Sequence, residues 1–276
     1  MKKECLLFMA LVSGCSSQVQ RPATPQLALN TQHVALGHQP RINSIVIHYT
    51  VADERRSLEL LTGQKVSSHY LIAQYPAWHR TLPEVYQLVP EDQAAWHAGI
   101  SAWRGTYNLN KTSIGIELVN RGYTSSATQE TCQVYPPSQI QALIQLVSGI
   151  ARRYSIEPEN IIGHSDIAPL RKQDPGPCFP WQQLASRGLG AWPNPALVKT
   201  LLAGRATATP VSNEVVIPLL RRYGYVIDEW DNPEQQQQVI KAFQMHFQPE
   251  NISGKADQLT LARLQALLLQ YPEAKE

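Results

Sequence analysis

Charge is scarce in this sequence. Lys, Arg, Asp and Glu make up 17% of 276 residues, and 24 cations against 22 anions leave a formal net charge of only +2. That balance supplies no basic face of the kind that clustered Lys and Arg present to nucleic acid, so no nucleic-acid partner is expected. Long apolar runs are missing too. The stretch from Leu6 to Val12 is apolar but far shorter than the roughly 20 residues that a membrane-spanning helix needs. Cysteine is sparse, at four, so each one can be placed individually. No internal repeat is visible, which excludes a solenoid or propeller. What remains is a chain with 43% hydrophobic residues, able to bury a core, and long enough for one large domain and one smaller one.

The N-terminus reads as an export signal. Lys2 and Lys3 precede the short apolar run, and Val12-Ser13-Gly14-Cys15 follows. That tetrapeptide resembles the bacterial lipobox, which implies removal of residues 1–14 and lipidation of Cys15. Acyl chains on that cysteine would anchor the protein to a membrane. Ser16, in place of an Asp, implies sorting to the outer membrane, on its periplasmic face. Residues 15–38 are polar, carry Pro22 and Pro25, and read as a tether. Cys5 leaves with the signal, so Cys132 and Cys178 remain in an oxidising compartment. They are expected to form an intramolecular disulfide if their separation permits.

Order is expected from residue 39. Ile42–Tyr49, Ser68–Ile72, Val85–Val89, Ser113–Val119 and Ile161–His164 read as strands, rich in β-branched and aromatic residues. After Pro136-Pro137, the residues Ile140, Leu143, Ile144, Val147 and Ala151 fall on one helical face. Strands alternating with helices predict an α/β fold, a mixed central sheet flanked by helices, over residues 39–204. Thr207–Pro210 reads as a linker. Three short amphipathic helices fill residues 205–276, with apolar faces at Val216/Leu219/Leu220/Tyr223, Ile240/Phe243/Phe247 and Leu261/Leu264/Leu268.

Two of the eight histidines have a suggestive setting. His48 and His164 each end a β-rich run and open into a loop, where a strand fixes a side chain and the loop leaves it accessible. A catalytic zinc takes three protein ligands and keeps one position open. The third donor is Asp166 or Asp174 on residue type alone. Asp166, two residues after His164, would share its face if the strand continued. Asp174 lies in the turn-rich Arg171-Lys172-Gln173-Asp174-Pro175-Gly176-Pro177.

Five stretches together resemble the amidase_2 family, whose fold is shared by phage lysozyme-type amidases and animal peptidoglycan recognition proteins. They are Ile47–Thr50, Val66–Ile72, Ala95–Gly99, Thr112–Leu118 and His164–Pro169 continuing through Lys172–Gly176. The resemblance implies one zinc ion on His48, His164 and Asp174. It makes Glu117 the catalytic carboxylate and Lys172 the stabiliser of the transition state, with Asp166 in a structural role. The implied reaction is hydrolysis of the amide between N-acetylmuramic acid and L-alanine in peptidoglycan and muropeptides. Such a zinc lowers the pKa of water from about 15.7 to about 7. The loop carrying Trp96, His97, Arg104 and Asn108 is expected to line the substrate groove, with Arg104 meeting a carboxylate. The polar stretch Gly122–Pro137 reads as an insertion bordering the cleft. A non-catalytic wall receptor on the same fold, or an endopeptidase cutting inside the stem peptide, stays open at this point. The helices of 205–276 resemble a small three-helix peptidoglycan-binding domain.

Overall fold

The computed structural model describes residues 27–125 and 130–272. The lipobox and Cys15 lie outside the described residues. Contacts divide the chain after Gln39. Residues 27–39 carry no helix or strand and are exposed, and everything from Pro40 onward belongs to a second unit.

That unit is built on five strands: β1 (Ser44–Tyr49), β2 (Tyr70–Ile72), β3 (Tyr86–Gln87), β4 (Ser113–Leu118) and β5 (Ile161–Gly163). Their order is β5-β1-β4-β2-β3, parallel except for the antiparallel edge pair β2–β3. The two faces of the sheet can be read from alternation along the strands. Ile45, Ile47, Ile72, Ile114, Ile116 and Leu118 are fully buried on one face, against Ile140, Leu143, Val147 and Ile150 of a long helix. Burying each such side chain stabilises the fold by about 1.5–3 kcal/mol. The helices, in chain order, are α1 (Glu54–Leu61) and this long α2 (Pro137–Tyr154). Asp53 caps α1 by accepting from the Arg56 N–H. Pro137 opens α2, where its missing N–H costs nothing.

The register sets the chemistry. His48 of β1 stands opposite Glu117 of β4, and Ile47 stands opposite Gly163 of β5. Parallel pairing in register points His48 and Glu117 to the same face, opposite Ile47, at the carboxyl ends where α/β sheets place their ligands. β5 stops one residue earlier than the sequence predicts. Asp166 Oδ2 accepts the Gly163 N–H at 2.8 Å, and the chain turns at once into the short α3 (His164–Ile167). Period-two spacing therefore does not apply between His164 and Asp166.

The remaining helices are α4 (Trp181–Ala185), α5 (Pro195–Leu202), α6 (Asn213–Tyr223), α7 (Pro233–Phe247) and α8 (Gln258–Gln270). The apolar faces of α6, α7 and α8 meet one another, and the same core continues into the sheet. Val46, Trp103, Ile162 and Ile167 join Val216, Tyr223, Tyr225, Phe243 and Phe247 in one buried cluster. Trp103 lies edge-on to both Tyr223 and Tyr225. The stretch read as a linker is tied down as well: Thr207 and Thr209 carbonyls accept from Leu259 and Gln258, and the Val211 N–H donates to Ala256. Hydrophobic packing thus runs without a break across the boundary read at residue 205.

Candidate active site

Three donor atoms converge at the ends of β1 and β5. His48 Nδ1 lies 3.0 Å from His164 Nδ1 and 2.9 Å from Asp174 Oδ2, and His164 Nδ1 lies 3.0 Å from Asp174 Oδ2. All three residues are buried. A triangle with edges of about 3 Å leaves a point about 2 Å from each corner, which is the length of a zinc–nitrogen or zinc–carboxylate bond. Two imidazoles and one carboxylate, with no fourth side chain in the group among the described residues, are the donor set of a catalytic rather than a structural zinc site. The residues present therefore fit the ion.

The electrostatics agree with a cation-binding role. Burial lowers the His48 pKa to about 4, aided by the charge of His164, so His48 offers a lone pair at neutral pH. Burial pushes the Asp174 carboxyl up, but the imidazoles of His164 and His48, each within 3.0 Å of Oδ2, outweigh it and hold Asp174 well below the usual carboxylate range.

Asp166 has no part in this triangle. It is fully buried and committed elsewhere: Oδ2 accepts from Gly163 N–H and from His246 Nδ1 at 2.8 Å each, and Oδ1 accepts from the Tyr225 hydroxyl at 2.6 Å. Of the two aspartates that the sequence leaves open, only Asp174 reaches the imidazoles. His246 is itself held by ring stacking on Trp181 and Phe247, each at 3.8 Å between centroids. Neither Tyr225 nor His246 is identifiable from local sequence as a partner of Asp166.

Glu117 stands beside His48 in the register, with Oε2 sealed from solvent and without a hydrogen-bond partner among the described residues. An unsatisfied buried carboxylate oxygen is costly and calls for a partner that arrives from outside. Burial, with the Asp174 charge adding to it and Lys172 opposing it, raises the Glu117 pKa to about 8. Lys172 sits two residues before Asp174. It lines a cavity of about 550 Å³ with Tyr123, Thr124, Arg171, Gln238 and Lys241. The hairpin formed by Tyr123–Ser125 and Glu130–Cys132 supplies Tyr123 and Thr124 to that cavity. Cys132 is bonded to Cys178, with Cα atoms 6.0 Å apart, which fastens the hairpin to the segment that follows Asp174.

The loop expected to line the groove is arranged differently. Trp96 is 58% exposed. His97 is buried and turned inward, with Nδ1 3.0 Å from His48 Nε2. Arg104 departs from expectation as well. Its guanidinium donates to the carbonyls of Tyr223 and Pro272, so the group expected to meet a carboxylate holds the C-terminal helices instead. Asn108 is exposed in a left-handed conformation just before a 3₁₀ turn at Leu109–Lys111. His69 is structural: its Nδ1 accepts from Gly115 N–H and its Nε2 donates to the Gln93 carbonyl.

Comparison with known proteins matches residues 38–177 to the family model described as N-acetylmuramoyl-L-alanine amidase. Over 261 residues the chain is 50% identical to the N-acetylmuramoyl-L-alanine amidase AmiD of Escherichia coli K12, covering 95% of both. The solved complex of E. coli AmiD with anhydro-N-acetylmuramic acid-L-Ala-D-γ-Glu-L-Lys superposes with a TM-score of 0.86 at 52% identity, covering 89% of this chain and 96% of that one. AmpDh3 of Pseudomonas aeruginosa in complex with anhydromuramic pentapeptide gives 0.80 at 37% identity, covering 90% of this chain and all of that one.

Proposed function

The chain belongs to the N-acetylmuramoyl-L-alanine amidase family, and from that premise we propose that it hydrolyses the bond between N-acetylmuramic acid and L-alanine in peptidoglycan and muropeptides, using one zinc ion held by His48, His164 and Asp174. The observation that carries this reading is the 3 Å triangle of two imidazoles and a carboxylate, beside a Glu117 oxygen that has no hydrogen-bond partner among the described residues. Zinc in such a set acidifies water and polarises a carbonyl. Glu117 takes the proton of the attacking water at Oε2 and returns it to the leaving nitrogen. Lys172 sets a positive charge against the oxyanion that forms at the carbonyl.

The cavity beside Lys172 suits the stem peptide. Its lining includes Arg171, Lys172 and Lys241 and, among the described residues, no carboxylate. The ligand held by the AmiD structure carries a γ-linked D-Glu, and a chain that continues through the γ-carbon leaves the α-carboxylate free. Lys241, on α7, lines the cavity and is the residue assigned to that charge in this reading. Lys241→Met keeps most of the stem's packing and removes the charge. It is expected to raise KM roughly tenfold, or about 1.4 kcal/mol, with kcat nearly unchanged. Amidating the D-Glu carboxylate of the substrate should cancel the difference between variant and wild type.

The position in the cell belongs to the same proposal. A lipid on Cys15 and the tether of residues 15–38 would hold the enzyme on the periplasmic face of the outer membrane, and the helices of 205–276 would assist wall contact as a peptidoglycan-binding-like unit. Product analysis tests the reaction. Digestion of purified muropeptides should release stem peptides that begin with L-alanine, together with the intact sugar. Fragments cut inside the stem would replace this reading with an endopeptidase, and no cleavage at all would favour a receptor.

A further inference from the structure

We propose that the adjacent residues His97 and Ala98 fix the tautomers of both imidazoles of the metal site, and so set its zinc affinity. The inference rests on the zinc reading of His48, His164 and Asp174 and concerns what stands behind them.

Ser113 has one hydroxyl proton, and its Oγ donates it to the Leu109 carbonyl at 2.6 Å. Toward His97 Nε2, at 3.3 Å, Ser113 can therefore only accept. His97 must carry its proton on Nε2, which leaves Nδ1 as an acceptor. That Nδ1 lies 3.0 Å from His48 Nε2, so His48 donates from Nε2 and keeps the lone pair on Nδ1. His48 Nδ1 is the atom that faces His164 and Asp174. The second imidazole is set by the next residue. His164 Nε2 lies 3.1 Å from the Ala98 carbonyl, which can only accept, so its lone pair is also on Nδ1. Two consecutive residues thus fix both ligands in the tautomer that a cation requires.

The loop is built to hold this position. Asn110 Oδ1 accepts the backbone N–H groups of both His97 and Ala98, at 3.1 and 2.7 Å. The His97 ring lies in a notch above β4 that exists only because residue 115 is glycine. A Cβ there would come within 2.4 Å of His97 Cγ. The chain from Leu109 to His48 consists of hydrogen bonds with a fixed direction and needs no change of protonation to operate.

The test compares zinc dissociation constants, from competition with a chromophoric chelator, for wild type, His97→Leu, His97→Asn and Ser113→Ala in the full chain. The Co²⁺-substituted spectra serve as a second readout. His97→Leu removes the acceptor and should weaken zinc 10–100-fold, the range typical of a lost partner behind a ligand. His97→Asn offers an amide oxygen close to the position of Nδ1 and should recover most of the affinity and the wild-type Co²⁺ spectrum. Ser113→Ala frees the His97 tautomer and should fall between them. Thermal melts in chelator confirm folding, and if His97→Leu does not fold, the Ser113→Ala and His97→Asn comparison decides. Wild-type zinc affinity in His97→Leu would overturn the proposal. So would equal losses for Leu and Asn, or a His97 effect on KM at saturating zinc, which a substrate contact would produce. Because affinity is read without substrate, a failure here is distinct from a failure to find amidase products.

Discussion

Asp174→Ala is expected to empty the metal site and reduce amidase turnover to background. Asp174 Oδ2 lies within 3.0 Å of both imidazoles and supplies the only negative charge in the donor set. Without it, two neutral nitrogens face each other and nothing balances a dication. The expected loss exceeds that of any proton-transfer residue. A zinc ion that brings the pKa of water from about 15.7 to about 7 makes deprotonation easier by about 12 kcal/mol at 1.36 kcal/mol per unit, whereas a positioned acid–base group contributes about 10²–10⁴-fold. Metal analysis after dialysis, with muropeptide turnover alongside, checks the prediction. Asp166→Asn is the matched control: it should keep zinc and instead lose stability, by about 2–3 kcal/mol for damaged charge-assisted hydrogen bonds. One retained zinc per chain in Asp174→Ala, or zinc loss confined to Asp166→Asn, would transfer the ligand role to the other aspartate.

Glu117→Gln carries the second-largest expected effect, a fall in kcat of about 10²–10⁴-fold with zinc content and fold retained. The amide preserves the shape of the side chain and removes its ability to accept and return a proton. Retention of near wild-type turnover would eliminate the shuttle. The pH dependence follows from the same group. Its pKa without metal is about 8, against an ordinary 4.5, because burial disfavours the charged form. A bound cation pulls it back, so the acid limb of the activity profile should lie below pH 8, with activity rising as Glu117 deprotonates. In chelator the effect appears in stability. A carboxyl with a raised pKa binds an extra proton in the folded state. Its stabilising contribution is therefore full below about pH 4.5 and is lost as pH rises through about 8. Thermal melts of the chelated protein should show less of this decline between pH 5 and 9 for Glu117→Gln than for wild type.

Several parts of this site are legible in the sequence for a physical reason. His48 and Glu117 stand on apolar strands whose β-branched neighbours announce them, and parallel pairing brings the two together. The helix after Pro136 is equally plain, because its apolar stripe repeats at helical spacing. Asp174 is not legible by pattern, since turn residues have no periodicity and both aspartates suit zinc; the family resemblance selects it. The His164 strand reads one residue too long because Asp166 caps the chain into a helical turn at Gly163. His97 and Arg104 read as groove residues because a polar, aromatic loop looks open in one dimension. Their real partners lie 49 residues back for His97 and 119 and 168 residues ahead for Arg104, and no local signal encodes such distances.

Asp166 receives one hydrogen bond from the strand that leads into His164 and two from side chains past residue 220. A shortened chain ending near residue 205 would keep every proposed zinc ligand yet leave that carboxylate buried or newly wet with two of its three donors gone. For anyone wishing to exchange the C-terminal helices for an unrelated domain, the replacement has to bring its own hydroxyl and imidazole to the same spot. The C-terminal helices are a keystone for the strand end that carries His164.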